Sequence, residues 1–513
     1  MFYLSKSYRT LVKTLRLGQS GGAAKAQSAL RLRMGFSVNL DGGYDIVESV
    51  GGLVPKAIAK AGHEYWYIVG AGVEKLSKLE ESYAEAAKGA VVKELSEGES
   101  EIGIGLFDSA RKIAEKSLEQ HMSAERAAFI SYLVAHDTVG YGPLSALMED
   151  RKRIEEIEVN APSAPISVFH SDYGRCATNL RFADEEAFRH SLNRLIYEAD
   201  KELDDDTPIV DAQVGDARVH AQMAPYAQSG AVASIRLTDS RIVGFDYLVR
   251  KGTANFDVLA YLWLAMDSGL NMVISGPPAS GKTTMMSALF GFVPRAEKVL
   301  TIEEEVNELK IKLDINNSVA LYGSGAGGKA KTRDQVINAL RLRPDRLVVG
   351  EVRGEEARDL FSGANLGIPF MTTMHSNEGG MEVIRKLMVR PMNVEARLLN
   401  CLDLMLQMKH VGISKRVLNE VHECKWLSRA ETERLGTVID GSDSVDLLTT
   451  VKGGNLDPGA LKGSKVISAY SRKSGLSNRL VLGEMERRAE FLRVLFESCK
   501  SSREMLEKLQ GYE

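Results

Sequence analysis

Apolar positions along this chain repeat with two different rhythms, and the change between them falls near residue 240. At the N-terminus the rhythm is helical. Wrapped at 3.6 residues per turn, Leu4, Tyr8, Leu11, Val12 and Leu15 share one face, and Lys6, Arg9, Lys13 and Arg16 fall opposite. This predicts a basic amphipathic helix, followed by a flexible stretch through Gly18-Gln19-Ser20-Gly21-Gly22. Leu106 to Ala135 carries a second, charged helical pattern that ends near Asp137, and Gly140-Tyr141-Gly142-Pro143 reads as a turn. Ile154–Val159 and Ile166–Phe169 predict short strands, Glu185–Asp200 a helix, and Val219–Met223 with Val232–Leu237 two strands of a hairpin-like sheet.

Beyond Arg241 helices alternate with short apolar strands, the pattern of a mostly parallel α/β sheet. Val258 to Ile274 is strongly apolar, but Asp267, Ser268, Gly269 and Asn271 interrupt it. It predicts a core helix, a turn and a strand, and falls short of the ~18 uninterrupted apolar residues of a bilayer span. Gly323–Gly328 reads as a glycine-rich insertion, and Gly436–Gly463 as an acidic, glycine-rich separator before a helical tail. The expected division is a helical, partner-docking region over 1–135, a small α/β lobe over 136–240, a larger α/β domain over 241–430 and a helical C-terminal region over 431–513. No internal repeat is visible.

Composition narrows the class. With 44% hydrophobic and 26% charged residues the chain is globular, and a net charge of -4 argues against a polycation that coats nucleic acid. The first 40 residues are the exception, with seven Lys or Arg and no acid. They fit contact with a membrane surface through residues 1–35, docking of a protein partner, a transit-like segment or a solvated arm. No compact apolar segment follows them, so no secretory signal is expected. Cys176, Cys401, Cys424 and Cys499 are scattered without a CxxC pair, the pattern of reduced and mostly buried thiols rather than of a zinc site.

The candidate chemistry centres on Gly276-Pro277-Pro278-Ala279-Ser280-Gly281-Lys282-Thr283-Thr284, which fits G-x-x-x-x-G-K-[ST]. Glycines let the backbone curl so that consecutive N–H groups converge on phosphate oxygens, and the following helix aims its positive end at the same anion. Lys282 would reach the β- and γ-phosphates of ATP, and the Thr283 hydroxyl would ligate Mg²⁺. An apolar strand, Met272-Val273-Ile274, precedes the loop and a helix-prone run, Thr284–Leu289, follows, which is the context the motif requires.

Three more apolar strands end in residues suited to nucleotide chemistry. Val299–Ile302 runs into Glu303-Glu304-Glu305, Leu347-Val348-Val349 into Gly350-Glu351, and Phe370–Met374 into His375. In a parallel sheet all carboxyl ends share one edge, where open α/β sheets bind ligands. Glu351 is the first candidate to position the attacking water or to complete the Mg²⁺ shell, Glu303 the second, and His375 stands beside them.

These residues resemble the motifs of the type II/IV secretion ATPases. Thr301-Ile302-Glu303-Glu304 is similar to the family's acidic box, Arg341 to Gly354 to its Walker B segment, and Thr372-Thr373-Met374-His375-Ser376-Asn377 to its His box. The resemblance covers roughly residues 136–430, and the helical tail is similar to that of archaeal secretion, pilus and archaellum motors. It implies a RecA-like P-loop ATPase motor domain carrying a smaller α/β N-terminal domain, assembled as a homohexamer. It further implies a membrane platform protein as partner and a cytoplasmic location, peripheral at the inner face of the cytoplasmic membrane. Arg218 and Arg236 best match the arginines that the family brings from the N-terminal lobe to the phosphates. Glu304 stands where the family has Asp, which leaves the division of roles among Glu303, Glu304 and Glu305 open. The family's bacterial zinc module is missing. A RecA-like nucleic-acid motor is the competing reading, and a nucleotide-gated switch a third; no N-K-x-D guanine motif supports a GTPase.

Overall fold

The computed structural model describes residues 45–50, 54–70, 76–97, 106–224, 227, 230–237, 243–303, 309, 318–323, 331–412, 415–426 and 445–512. The basic N-terminal segment, Glu304, Glu305 and most of the Gly323–Gly328 stretch lie outside them. The chain divides into two units, Met1–Asp239 and Ser240–Glu513.

The first unit is built on a nine-stranded sheet. Its strands are β1 (Asp45–Val50), β2 (Lys56–Ala61), β3 (Glu64–Val69), β4 (Ile154–Val159), β5 (Ser167–His170), β6 (Gly174–Thr178), β7 (Ile209–Val214), β8 (Ala217–Gln222) and β9 (Val232–Leu237). They run in the order β1-β2-β3-β6-β5-β4-β9-β8-β7, antiparallel except where β3 meets β6. Burial alternates along β8 and β9, because one face packs on the core and the other meets solvent. β1 to β3 fall inside the stretch whose pattern suggested only helices, and they extend the sheet of the small lobe rather than forming a separate region. The helical stretch beyond Leu106 is two helices, Leu106–Leu118 and Ala124–Thr138. Ser123 caps the second by accepting a hydrogen bond from Arg126 N. The helix from Glu185 ends at Ile196 in a short 3₁₀ turn, closed by Asp200 in a left-handed conformation.

The second unit carries β10 (Met272–Gly276), β11 (Val299–Glu303), β12 (Ser318–Tyr322), β13 (Arg346–Val349), β14 (Phe370–His375), β15 (Leu404–Val411), β16 (Lys415–Trp426), β17 (Val445–Lys452) and β18 (Asn455–Leu456). The order is β12-β11-β13-β14-β10-β15-β16-β17-β18. From β12 to β15 every pairing is parallel, and the last three strands add on antiparallel. β10, β11 and β13 are buried along their whole length, since helices cover both faces of a parallel sheet. This is a RecA-like α/β unit.

The glycine-rich separator is partly sheet. Leu447, Leu448 and Val451 lie on β17, in antiparallel register with β16. The C-terminal helices Lys465–Ser474 and Asn478–Ser498 pack on the apolar helix Phe256–Asp267 and belong to the same unit. Two polar anchors hold them. The buried Glu423 carboxylate accepts from Tyr261 Oη and Ser464 Oγ, both at 2.5 Å, at the start of the first of these helices. Arg488 pairs with Asp267 at 2.6 Å and Glu484 at 2.9 Å and lies over the Trp263 ring, 4.4 Å from its centroid. An arginine taken out of water needs such partners. Among the described residues no helix is long and apolar enough to cross a membrane.

Candidate functional site

β10 leads straight into the phosphate loop, and its last residue shows why a glycine is required there. A Cβ on Gly276 would sit 2.6 Å from Ser280 Oγ and 2.7 Å from the Met408 carbonyl oxygen on β15. Within the loop Ala279 (φ 56°) and Gly281 (φ 88°) are left-handed. Alternation of left- and right-handed residues turns successive N–H groups to one side, the geometry of an anion nest. Gly281 then caps the helix Lys282–Phe290, whose first hydrogen bond is Met285 N to Gly281 O at 2.9 Å. Ser280 is fully buried, and its hydroxyl has no partner among the described residues. A polar group buried without a bond is costly unless a ligand completes it.

Lys282 is buried against the loop it leaves. Its ammonium donates to Pro277 O at 2.9 Å and Gly276 O at 3.2 Å, and lies 3.2 Å from His375 Nδ1. An ammonium can only donate, so Nδ1 is the acceptor and the imidazole proton is on Nε2. Nε2 in turn faces Glu351 Oε1 at 3.1 Å. Burial, together with the charges of Lys282, Arg353 and Lys386, holds the His375 pKa below its ordinary value, which favours this neutral tautomer. A line Lys282–His375–Glu351 results, following the neighbouring strands β10, β14 and β13. The sheet register sets it up, pairing Gly276 with His375 and Val349 with Thr372.

Glu303 ends β11 at the same edge, one strand further out, where Ile302 pairs with Val349. Its buried carboxylate accepts from Leu309 N at 3.0 Å and from Thr301 Oγ1 at 3.2 Å. The Glu351 segment is fixed from both sides, with Gly350 N donating to Ile302 O at 2.8 Å and Val352 N to Thr373 O at 2.9 Å. Thr283 and Thr284 are half-buried on the first helical turn. Arg218 and Arg236 belong to the first unit. They face each other in the β8–β9 register, and both are exposed on the open side of that sheet.

Two groups near the loop carried no local sequence signal. The β15–β16 hairpin pairs His410 with Arg416, and both reach the phosphate loop. His410 Nε2 lies 3.2 Å from Pro278 O, and the Arg416 stem passes 3.4 Å from where a Cβ on Gly281 would be. The second group is Glu378, Glu382 and Lys386, hydrogen-bonded together with Ser376 of the His-box segment.

A glycine-cradled anion nest at a helix N-terminus, at the carboxyl edge of a parallel sheet, defines a P-loop nucleotide-binding protein. Residues 138–425 match the family described as Type II/IV secretion system protein, and this chain belongs to that family. An uncharacterized protein of Methanocaldococcus jannaschii is 35% identical over 226 residues, covering 42% of this chain and 31% of that one. A putative conjugal transfer protein of Mycobacterium tuberculosis is 33% identical over 228 residues, covering 42% of this chain and 65% of that one. The chain therefore spans less than two thirds of the length of either relative. Among solved structures, the Legionella pneumophila ATPase DotB is similar over 74% of this chain and 96% of its own, at 17% identity and a TM-score of 0.39.

Proposed function

We propose that this chain binds and hydrolyses ATP, and that as a homohexamer it drives a secretion or filament-assembly machine at the inner face of the cytoplasmic membrane. The observation that carries the reading is the Lys282–His375–Glu351 line beside the anion nest. An ammonium suited to polyphosphate, a neutral imidazole and a carboxylate together at one sheet edge support this reading. The orphaned, buried Ser280 hydroxyl and the glycine-lined loop fit a bound triphosphate. Lys282 would hold the β- and γ-phosphates, Thr283 would hold Mg²⁺, and Glu351 would complete the Mg²⁺ shell through water. Bound Mg²⁺ would offset the phosphate charge.

Glu351 is the residue that orients the attacking water, and His375 keeps it in register with Lys282. Glu303 supports the neighbouring strand end. Arg218 and Arg236, from the first unit, would offset charge developing on the phosphates. Family membership supports a membrane platform protein as the partner that turns this hydrolysis into work. The docking role would fall to residues 1–135, the N-terminal part of the first unit.

The test is steady-state phosphate release by the purified chain across a range of protein concentrations. Turnover should rise with self-association, and Lys282→Ala should abolish both turnover and nucleotide binding without unfolding the protein. Wild-type protein that holds no nucleotide, or a Lys282→Ala variant with normal turnover, would end this reading. A nucleic-acid motor is the second reading, favoured by the conjugal transfer relative. Strong, salt-sensitive stimulation by DNA would select it.

A further inference from the structure

β14 ends at His375, and the residues that follow leave the sheet before the helix Met381–Met388 begins. The His375 side chain is about half exposed, at 48% of its free area, so packing alone does not fix its rotamer. Its aim depends on the backbone beneath it. That backbone is held on one side by β10, where Ser376 N donates to Gly276 O at 3.2 Å. On the other side Ser376 Oγ meets the Glu378 carbonyl oxygen within the loop, and one carboxylate grips the loop from the helix. Glu382 Oε2 accepts from Ser376 Oγ at 2.5 Å and from Glu378 N at 2.6 Å. Its Oε1 pairs with Lys386 Nζ at 2.8 Å, and the same ammonium donates to the His375 carbonyl oxygen at 3.2 Å.

We propose that Glu382 is a positioning residue for His375, acting through Ser376, Glu378 and Lys386. The role rests on the ATP-hydrolysis reading for its consequence, though not for its geometry. One side chain on the first turn of the helix grips the loop at residues 376 and 378 and, through Lys386, at residue 375. Burial acts against the charge, but the donors Lys386, Ser376 and Glu378 outweigh it, so the carboxyl stays ionised at neutral pH. An acid at this place also suits the helix dipole, which by itself would make Glu382 only a stabiliser. The two roles differ in what they predict for His375. A group misplaced by about 1 Å costs on the order of a hundredfold in rate, whereas loss of a helix cap leaves the rate per folded molecule alone.

The experiment uses the full chain with Glu382→Ala and Glu382→Gln, each alone and combined with His375→Ala. Turnover, affinity for a fluorescent ATP analogue and thermal midpoint are measured together. Glu382→Ala should lower kcat roughly tenfold to a hundredfold, with analogue affinity within about twofold of wild type. Glu382→Gln keeps acceptors for Ser376 and Glu378 and loses the charge facing Lys386, so it should fall between. With His375 already removed, Glu382→Ala should cost no further kcat.

A second readout needs no turnover. The ¹⁵N signals of His375 should show a proton on Nε2 in the wild type and a mixture of tautomers in Glu382→Ala. Unchanged kcat and unchanged signals, or a loss in kcat that multiplies fully with that of His375→Ala, would overturn the assignment. Wild-type protein without ATP turnover but with the expected change in signals would sink the ATPase reading and leave the positioning role standing.

Discussion

Gly276→Ala tests the tightest approach in the site. The added Cβ would meet Ser280 Oγ at 2.6 Å, the Met408 carbonyl oxygen at 2.7 Å and Met408 Cβ at 3.0 Å. The first contact is soft, because a serine rotamer can turn. The second is hard, because Met408 lies on β15, paired with Leu418 of β16 in a sheet that continues to β17. Either that strand or the phosphate loop must shift by several tenths of an ångström. Overpacking of this kind costs about 1–3 kcal/mol, and at ~2–4 °C per kcal/mol for a unit of this size the thermal midpoint should fall by ~2–12 °C. The displacement also reaches the site, because Gly276 O accepts from Lys282 Nζ and from Ser376 N, both at 3.2 Å. Scanning fluorimetry with and without nucleotide, beside a titration of a fluorescent ATP analogue, reads both effects. Adding Ser280→Gly should recover little, since the hard contact remains. Full recovery in that double variant, or a Gly276→Ala protein with unchanged midpoint and affinity, would refute the reasoning.

Further expectations address the carboxylate, an ion pair and the thiols. Glu351→Gln keeps the size of the side chain beside His375 Nε2 but loses the charge. It should lower kcat by about 10²–10⁴ while ATP affinity changes little, and normal turnover would remove Glu351 from its role. In the first unit a hydrogen bond from Arg126 Nε, 2.7 Å from Glu80 Oε1, is the main cause that lowers the Glu80 carboxyl to about 2. The folded pKa is depressed, so its stabilisation is present above the unfolded value of about 4.3 and is lost as pH falls from there towards 2. After allowance for solvent screening it is worth ~1 kcal/mol. Urea denaturation should show Glu80→Gln weaker than wild type at pH 7, with a gap that closes by about pH 2; a gap independent of pH would contradict this. Burial raises the Cys176 thiol to about 11 and those of Cys401 and Cys424 to about 12. At pH 8 the buried Cys176 and Cys424 should react with Ellman's reagent only on unfolding, and rapid labelling of the native protein at either would contradict their burial.

What could be read from the chain follows from how each element is held. β10, β11, β13 and β14 are apolar runs because both faces of a parallel sheet are covered, so their ends, and the residues just past those ends, stood out against the background. The gathering of Lys282, Glu303, Glu351 and His375 at one edge needed only the rule that parallel strands point the same way. Their order needed more. His375 lies between Lys282 and Glu351 because β14 separates β10 from β13, and that order comes from helical crossovers with no local signature. β2 is harder still, since Lys-Ala-Ile-Ala-Lys-Ala has weak strand propensity and is a strand through its pairing with β1 and β3. His410 and Arg416 are ordinary polar residues until a hairpin register sets them opposite each other against the phosphate loop. Arg488 falls within the apolar stripe of its helix, among Val481, Met485, Leu492 and Leu495, where a charge has no local explanation. It is buried because Asp267 and Trp263, more than two hundred residues earlier, supply a charge and a ring. Local pattern therefore finds residues whose environment is set by their own strand, and misses those whose partners arrive from elsewhere in the chain. Glu382 belongs to the second kind: its neighbours in sequence suggest a helix start, and only the fold turns that start into a grip on His375.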